Sequence, residues 1–166
     1  RLVGSEMCIR DSANVFVCDI NSKNIDLIND TNVTVVDPEN IYDDTYDIIS
    51  PCALGGTINR NSLKNINCNI IAGAANNQLE NDTDVPEELL KKNILYIPDF
   101  LINAGGIISV YHEQINDIDS KKVMDMTGLI YDKVSSVIKY SEENSISTNS
   151  SAIQLAKDRI KENSKK

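Results

Sequence analysis

Asn69-Ile-Ile-Ala-Gly-Ala-Ala-Asn-Asn-Gln-Leu79 begins as a short apolar run, stops at Gly73 and continues as a polar loop. An apolar segment of this length closed by glycine reads as a buried strand. The small residues after it let backbone approach a ligand closely, and the side-chain amides of Asn76 and Asn77 each offer a donor and an acceptor. The plainer reading is an asparagine-rich turn, since asparagine is frequent in this chain.

The same arrangement recurs on both sides. Upstream, the apolar run Tyr46–Ser50 ends at Pro51 and leads into Ser50-Pro-Cys-Ala-Leu-Gly-Gly56. The paired glycines there suit either close backbone approach or a tight turn at positive φ. Downstream, Leu95–Ile97 is closed by Pro98 and leads into Pro98-Asp-Phe-Leu-Ile-Asn-Ala-Gly-Gly106. Asn103 in that loop is placed either to meet a ligand or to cap the helix that follows.

Two further β-rich runs, Asn14–Cys18 and Val33–Val36, precede these, with a short helix after Asn21-Ser22 between them. Ser62–Ile66 and Pro86–Lys92 are the other intervening helix candidates. Strands separated by helices imply parallel pairing, because parallel strands require a crossover. Strand runs that are apolar throughout predict cover on both faces. The fold class is therefore α/β, a doubly wound parallel sheet, followed by C-terminal helices over Ala104–Asn116, Ser120–Glu143 and Asn149–Glu162. Val123, Leu129, Ile130, Val134, Val137 and Ile138 form an apolar stripe on the second of these, with Asp119 or Ser120 as its cap.

All three loops sit at carboxyl ends of expected parallel strands, on the edge where open α/β sheets bind ligands. Asp19 adds to this. An acidic residue ending an apolar strand is where a dinucleotide fold places the acceptor for the adenosine ribose hydroxyls, and a carboxylate there repels an extra phosphate and favours NAD over NADP. The alternative is that Asp19 merely caps the short helix.

Composition narrows the partners. The chain has 166 residues, 41% hydrophobic, enough for one domain with a real core. Its formal net charge of −9 disfavours nonspecific binding to nucleic acid or anionic membrane. No apolar run approaches a membrane span. The scattered cysteines Cys8, Cys18, Cys52 and Cys68 have no metal-ligand spacing and read as reduced thiols of a cytoplasmic protein. Residues 1–12, RLVGSEMCIRDS, lack both signal-peptide layout and periodicity. They resemble translated sequencing-adapter DNA, so the expected organisation is a non-native segment at 1–12 and an incomplete domain at 13–166.

The segments Cys18–Asn21 (CDIN), Pro51–Gly56 (PCALGG), Ala72–Leu79 (AGAANNQL) and Pro98–Gly106 (PDFLINAGG), in this order and at these separations, resemble the NAD domain of the leucine/phenylalanine/valine dehydrogenases within the glutamate/leucine/phenylalanine/valine dehydrogenase family. The AGAANNQL form is closer to leucine and phenylalanine dehydrogenases than to glutamate dehydrogenases. The resemblance runs from about Ala13 to the final helix and implies a partial Rossmann-type sheet. It implies NAD as cofactor, with Asp19 and the backbone near Ile20 at the adenosine ribose and Cys52 and Ala53 on the adenosine and ribose side. Ala74, Ala75 and Asn76 would lie along the nicotinamide ribose, and Asn103 at the nicotinamide end or the substrate.

The resemblance further places Ile107 and Val110, one helical turn apart, against the substrate's side chain. Both are aliphatic, which suits a branched-chain amino acid and offers nothing to a glutamate carboxylate. The implied reaction is oxidative deamination to a 2-oxo acid and ammonia. No residue matches the family's catalytic lysine and aspartate, so no catalytic residue and no metal site are assigned. The glycine-rich phosphate turn is expected upstream of Ala13, so residues 13–166 alone are expected to be inactive. The resemblance also implies a small-molecule amino-acid substrate and a homo-oligomer at full length. His112 is read as a polar residue on the Ala104 helix. Competing readings are a noncatalytic Rossmann-like binding module, another nucleotide enzyme such as a methyltransferase and, within the family, a phenylalanine or valine dehydrogenase.

Overall fold

The computed structural model describes residues 13–28, 33–116 and 119–164, so the expectation for residues 1–12 lies outside it. The chain divides into two compact units, Arg1–Thr45 and Tyr46–Lys166. Among the described residues no helix is long and apolar enough to cross a membrane.

The first unit pairs β1 (Val15–Val17) with β2 (Val33–Val35) in parallel, Val15 opposite Val33 and Val17 opposite Val35. Between them lies the one-turn helix α1 (Ser22–Ile25), whose N-cap Asn21 accepts from the Lys23 N–H at 3.2 Å. Both strands are β-branched, as half-buried strands favour.

The second unit holds β3 (Thr45–Ile49), β4 (Asn67–Ile71) and β5 (Leu95–Tyr96) in the order β3-β4-β5, with β4 and β5 parallel. The expected Ser62–Ile66 helix is a 3-10 turn over Ser62–Lys64. Helix α2 (Asp84–Lys91) is started by Asn81, whose Oδ1 accepts from the Thr83, Asp84 and Val85 N–H groups. Asp84 and Glu87 in its first turn favour the positive end of the helix dipole. Ile58, Ile71, Val85 and Leu89 are 0–1% exposed and form the centre of the core.

Cover on both faces is not general: Cys68, Ile71 and Tyr96 on β4 and β5 are buried, whereas Phe16, Val35 and Ile48 on β1–β3 are 40–58% exposed. Among the described residues of the first unit one short helix is available as cover.

The C-terminal helices are α3 (Asp99–Ile102), α4 (Gly105–Gln114), α5 (Ser120–Gly128), α6 (Ile130–Asn144) and α7 (Thr148–Asn163). The single helix expected over Ser120–Glu143 is two, broken at Leu129 where Gly128 weakens the helix. Asp119 is its N-cap, accepting from Lys121 N–H at 2.9 Å. Val137 carries the stripe into the core, while Leu129 is 53% exposed. α6 ends on Ser145 in the left-handed region (φ 53), and α7 starts on Ser147, whose Oγ accepts from Ser150 N–H.

Candidate dinucleotide site

In the first unit, Asp19 follows β1 and is not the helix cap; that role belongs to Asn21. Its Oδ1 accepts from Asn21 N–H at 2.8 Å and its Oδ2 from Asn24 Nδ2 at 2.7 Å. These bonds, the backbone one first, hold its carboxyl below the usual carboxylate range. A carboxylate accepts about four hydrogen bonds, so roughly two acceptor positions stay open for diol hydroxyls. Asp19 lines an open concavity of about 430 Å3 whose walls combine the apolar Ile20, Ile25, Val35, Val36 and Pro38 with Ser22 and two further carboxylates, Asp26 and Asp37. Ile20 is 85% exposed, so it contributes to those walls from the surface. Burial pushes the adjacent Cys18 thiol up, with Asp19 and Asp37 adding to the rise.

In the second unit the three loops come together by direct bonds. Ala75 N–H donates to Pro51 O at 2.9 Å, Gly56 N–H to Asn77 O at 2.8 Å and Ile58 N–H to Gln78 O at 3.0 Å. A parallel bridge between Ile58 and Leu79 extends this pairing beyond the strands. The third loop joins through Asn103, whose Nδ2 donates to Asn76 Oδ1 at 2.6 Å and lies 3.4 Å from Ala74 O. Cys52, Ala53, Ala74 and Asn76 are exposed on this joined surface, Asn103 is half-buried, and Ala75 is turned into the core at 5% exposure.

The tight-turn reading of the paired glycines holds at Gly56, while Gly73 and Gly55 serve the approach of one loop to another. A Cβ on Gly73 would lie 2.1 Å from Pro51 O and 2.5 Å from Pro51 N, so this position must stay bare for two loops to meet. Gly55 would likewise strike Asn77 O at 2.8 Å and Asn76 O at 2.9 Å, and Gly56 takes φ +72. Close approach here is of backbone to backbone, which in turn sets the surface a ligand would meet.

Asn103 is also differently placed. It is the C-cap of α3, with its N–H donating to Asp99 O at 2.9 Å, and Ala104 is the cap of α4. A four-residue helix intervenes where a loop was expected, and this frees the Asn103 amide to cross to Asn76. Ile107 and Val110 lie on α4 at 72% and 49% exposure. His112 lies on α4 as expected and is 6% exposed, packed with Nε2 3.1 Å from Met126 Sδ on α5.

Three buried groups were not legible as site residues. Gln78 is fully buried and donates from Nε2 to Gly73 O (2.7 Å) and Ala75 O (2.9 Å), stapling the turn from inside. Asp99 is buried; its carboxylate accepts from Asn77 N–H and from Tyr96 Oη at 3.2 Å. Burial pushes the Tyr96 hydroxyl well above its usual range, and the Asp99 charge adds to this. A Pro-Asp pair after a strand reads as an ordinary helix start, so nothing local signals this role. Among the described residues no group of His, Cys, Asp and Glu could hold a metal.

A parallel pair followed by an acidic residue in the first unit, and parallel strands with loops joined at their carboxyl ends in the second, define a partial Rossmann-type α/β protein. More narrowly, the chain belongs to the Glutamate/Leucine/Phenylalanine/Valine dehydrogenase family, whose model matches residues 8–166. It is similar to the L-tryptophan dehydrogenase of Nostoc punctiforme, 46% identical over 127 residues, covering 76% of this chain and 36% of the relative. The crystal structure of that enzyme superimposes with a TM-score of 0.88 at 40% identity, covering 95% of this chain and 48% of that one. Leucine dehydrogenase of Bacillus subtilis (strain 168) is 36% identical over 151 residues, covering 90% of this chain and 41% of the relative. Phenylalanine dehydrogenase of Bacillus thermotolerans is 35% identical over 168 residues, covering 98% and 44%. The chain thus spans less than half the length of each of these relatives.

Proposed function

We propose that this chain is the cofactor-binding part of an NAD-dependent L-amino-acid dehydrogenase that oxidatively deaminates a branched-chain amino acid. The observation that carries the reading is the Asn103–Asn76 bond, which joins two loops at the carboxyl end of the sheet into one polar surface. A bound nicotinamide dinucleotide would supply the hydride acceptor. Asp19, with open acceptor positions, would hold the adenosine ribose and repel a 2′-phosphate, favouring NAD. Cys52 and Ala53 would flank the adenosine side, and Ala74 and Asn76 would face the nicotinamide ribose, with Ala75, turned into the core, shaping the turn beneath them. Asn103, its amide oriented by Asn76 Oδ1, would keep a carbonyl oxygen for the nicotinamide end or the substrate. Ile107 and Val110, aliphatic and exposed on α4, offer a substrate side chain an apolar wall without a charge.

Specificity for an aromatic side chain is the second reading. It is favoured by the 46% identity to a tryptophan dehydrogenase and the match to a phenylalanine dehydrogenase. The full-length enzyme is further proposed to be a homo-oligomer. Assay of that enzyme with NAD and NADP against leucine, valine, isoleucine, phenylalanine, tryptophan and glutamate tests these points together. Preference for leucine, valine or isoleucine with NAD is the expected result. Preference for tryptophan or phenylalanine replaces the substrate reading, and no turnover of any amino acid overturns the function.

A further inference from the structure

We propose that Asp99 is a positioning residue of the dinucleotide site, a buried clamp that sets the height of Asn76 relative to Asn103. The inference rests on the reading of those two residues as cofactor contacts. The bonds form a closed circuit. The Asp99 carboxylate accepts from Asn77 N–H, the neighbouring Asn76 Oδ1 accepts from Asn103 Nδ2, and Asn103 N–H returns to Asp99 O. Helix α3 is thereby fastened at both ends to a single dipeptide.

Asn77 sits in the left-handed region (φ 53), which asparagine tolerates better than other side-chain-bearing residues, and the Asp99 bond fastens its peptide there. Its peptide is gripped on the other side too, where Asn77 O accepts from Gly56 N–H. Asp99 itself is kept in place by the buried Tyr96 hydroxyl, so the carboxylate cannot swing toward solvent without breaking two bonds. A carboxylate is suited to this work because it accepts from both donors at once, and charge-assisted bonds are about twice as strong as neutral ones. The geometry gives Asp99 no direct access to a ligand through Asn76 and Asn103; it acts by fixing them.

The test uses the full-length enzyme and the variants Asp99→Ala, Asp99→Asn and Tyr96→Phe. Asp99→Ala should weaken NAD binding by about tenfold in equilibrium titration, the effect of one lost charge-assisted bond. It should also raise the NAD KM more than it lowers kcat. Asp99→Asn, which still offers one oxygen to Asn77, should recover most of that loss, and Tyr96→Phe should fall between. If Asp99→Ala fails to fold, the near-isosteric Asn variant and Tyr96→Phe still report the effect on NAD binding. Hydrogen exchange at the Asn77 amide is read in parallel and should speed up in Asp99→Ala. NAD affinity and Asn77 protection unchanged in the folded variants would overturn the clamp. A wild-type enzyme that binds no NAD would instead overturn the functional reading, while the Asn77 amide would still decide whether the clamp exists.

Discussion

The two units hold their candidate ligand-facing residues in opposite ways. Around Asp19 the bonds among the described residues are local: the carboxylate is tied to residues two and five positions ahead, and the concavity it lines is open. Around Asn76 the bonds are long-range, and their supports, Gln78, Asp99 and Tyr96, are buried. A locally built contact can be altered with little effect on the fold. A contact held by a buried network cannot, because each missing partner leaves another polar group unsatisfied.

Gly73 should therefore be the most sensitive position. Gly73→Ala would press a methyl group into the Pro51 backbone and should cost about 3 kcal/mol or more, read as a lowered denaturant midpoint of the full-length protein. A stability within 0.5 kcal/mol of wild type, a surface-substitution effect, would show that the loops are not locked together. Gln78→Leu comes next. It strips the donor from Gly73 O and Ala75 O and should cost about 2 kcal/mol in the same measurement.

Asp19→Asn should leave stability nearly unchanged while lowering the preference for NAD over NADP by about tenfold, the scale of one charge-assisted contact. The pH dependence has a definite sign. The Asp19 carboxyl is held below its ordinary value, so the discrimination proposed for it should be present throughout neutral and mildly acidic pH. It is lost only as pH falls through that depressed value, and NAD and NADP affinities measured against pH should converge there. The smallest effect belongs to the exposed pair between Arg60 and Asp84, 2.6 Å apart with side chains 71% and 55% exposed. Arg60→Ala should cost under about 0.5 kcal/mol in thermal unfolding, as solvent-exposed ion pairs do.

The same contrast explains what was legible in the sequence. Asp19, Cys52, Asn76 and Asn103 are visible because they follow apolar runs, and strand ends are marked by glycine and proline. The meeting of the three loops was expected and is found within the second unit. What could not be read are the buried supports. Gln78 looks like one more polar loop residue; its partners Gly73 O and Ala75 O are near in the chain, but nothing local says that its side chain turns inward to reach them. Asp99 is hidden because its partner Asn77 lies 22 residues away. The break at Leu129 was missed because periodicity runs straight through it; a single weak helix former decides the matter only once the two halves pack differently. Strand cover was overestimated because an apolar run records what a strand tolerates, not whether a layer lies over it.

The first residues of α7 reach back across the chain. Thr148 Oγ1 donates to Tyr96 O from 52 residues away, and Asn149 Nδ2 reaches Asp82 O across 67. Both side chains are buried, so neither bond forms before α7 has docked. On a ribosome, where a chain emerges from its N-terminus at about 5–20 residues per second, β5 and its loop leave the tunnel seconds before the helix that fixes them. The loop that follows β5 is then settled only after α7 has emerged. Until that moment the nascent chain carries β5 without the contacts that fasten it to the helix.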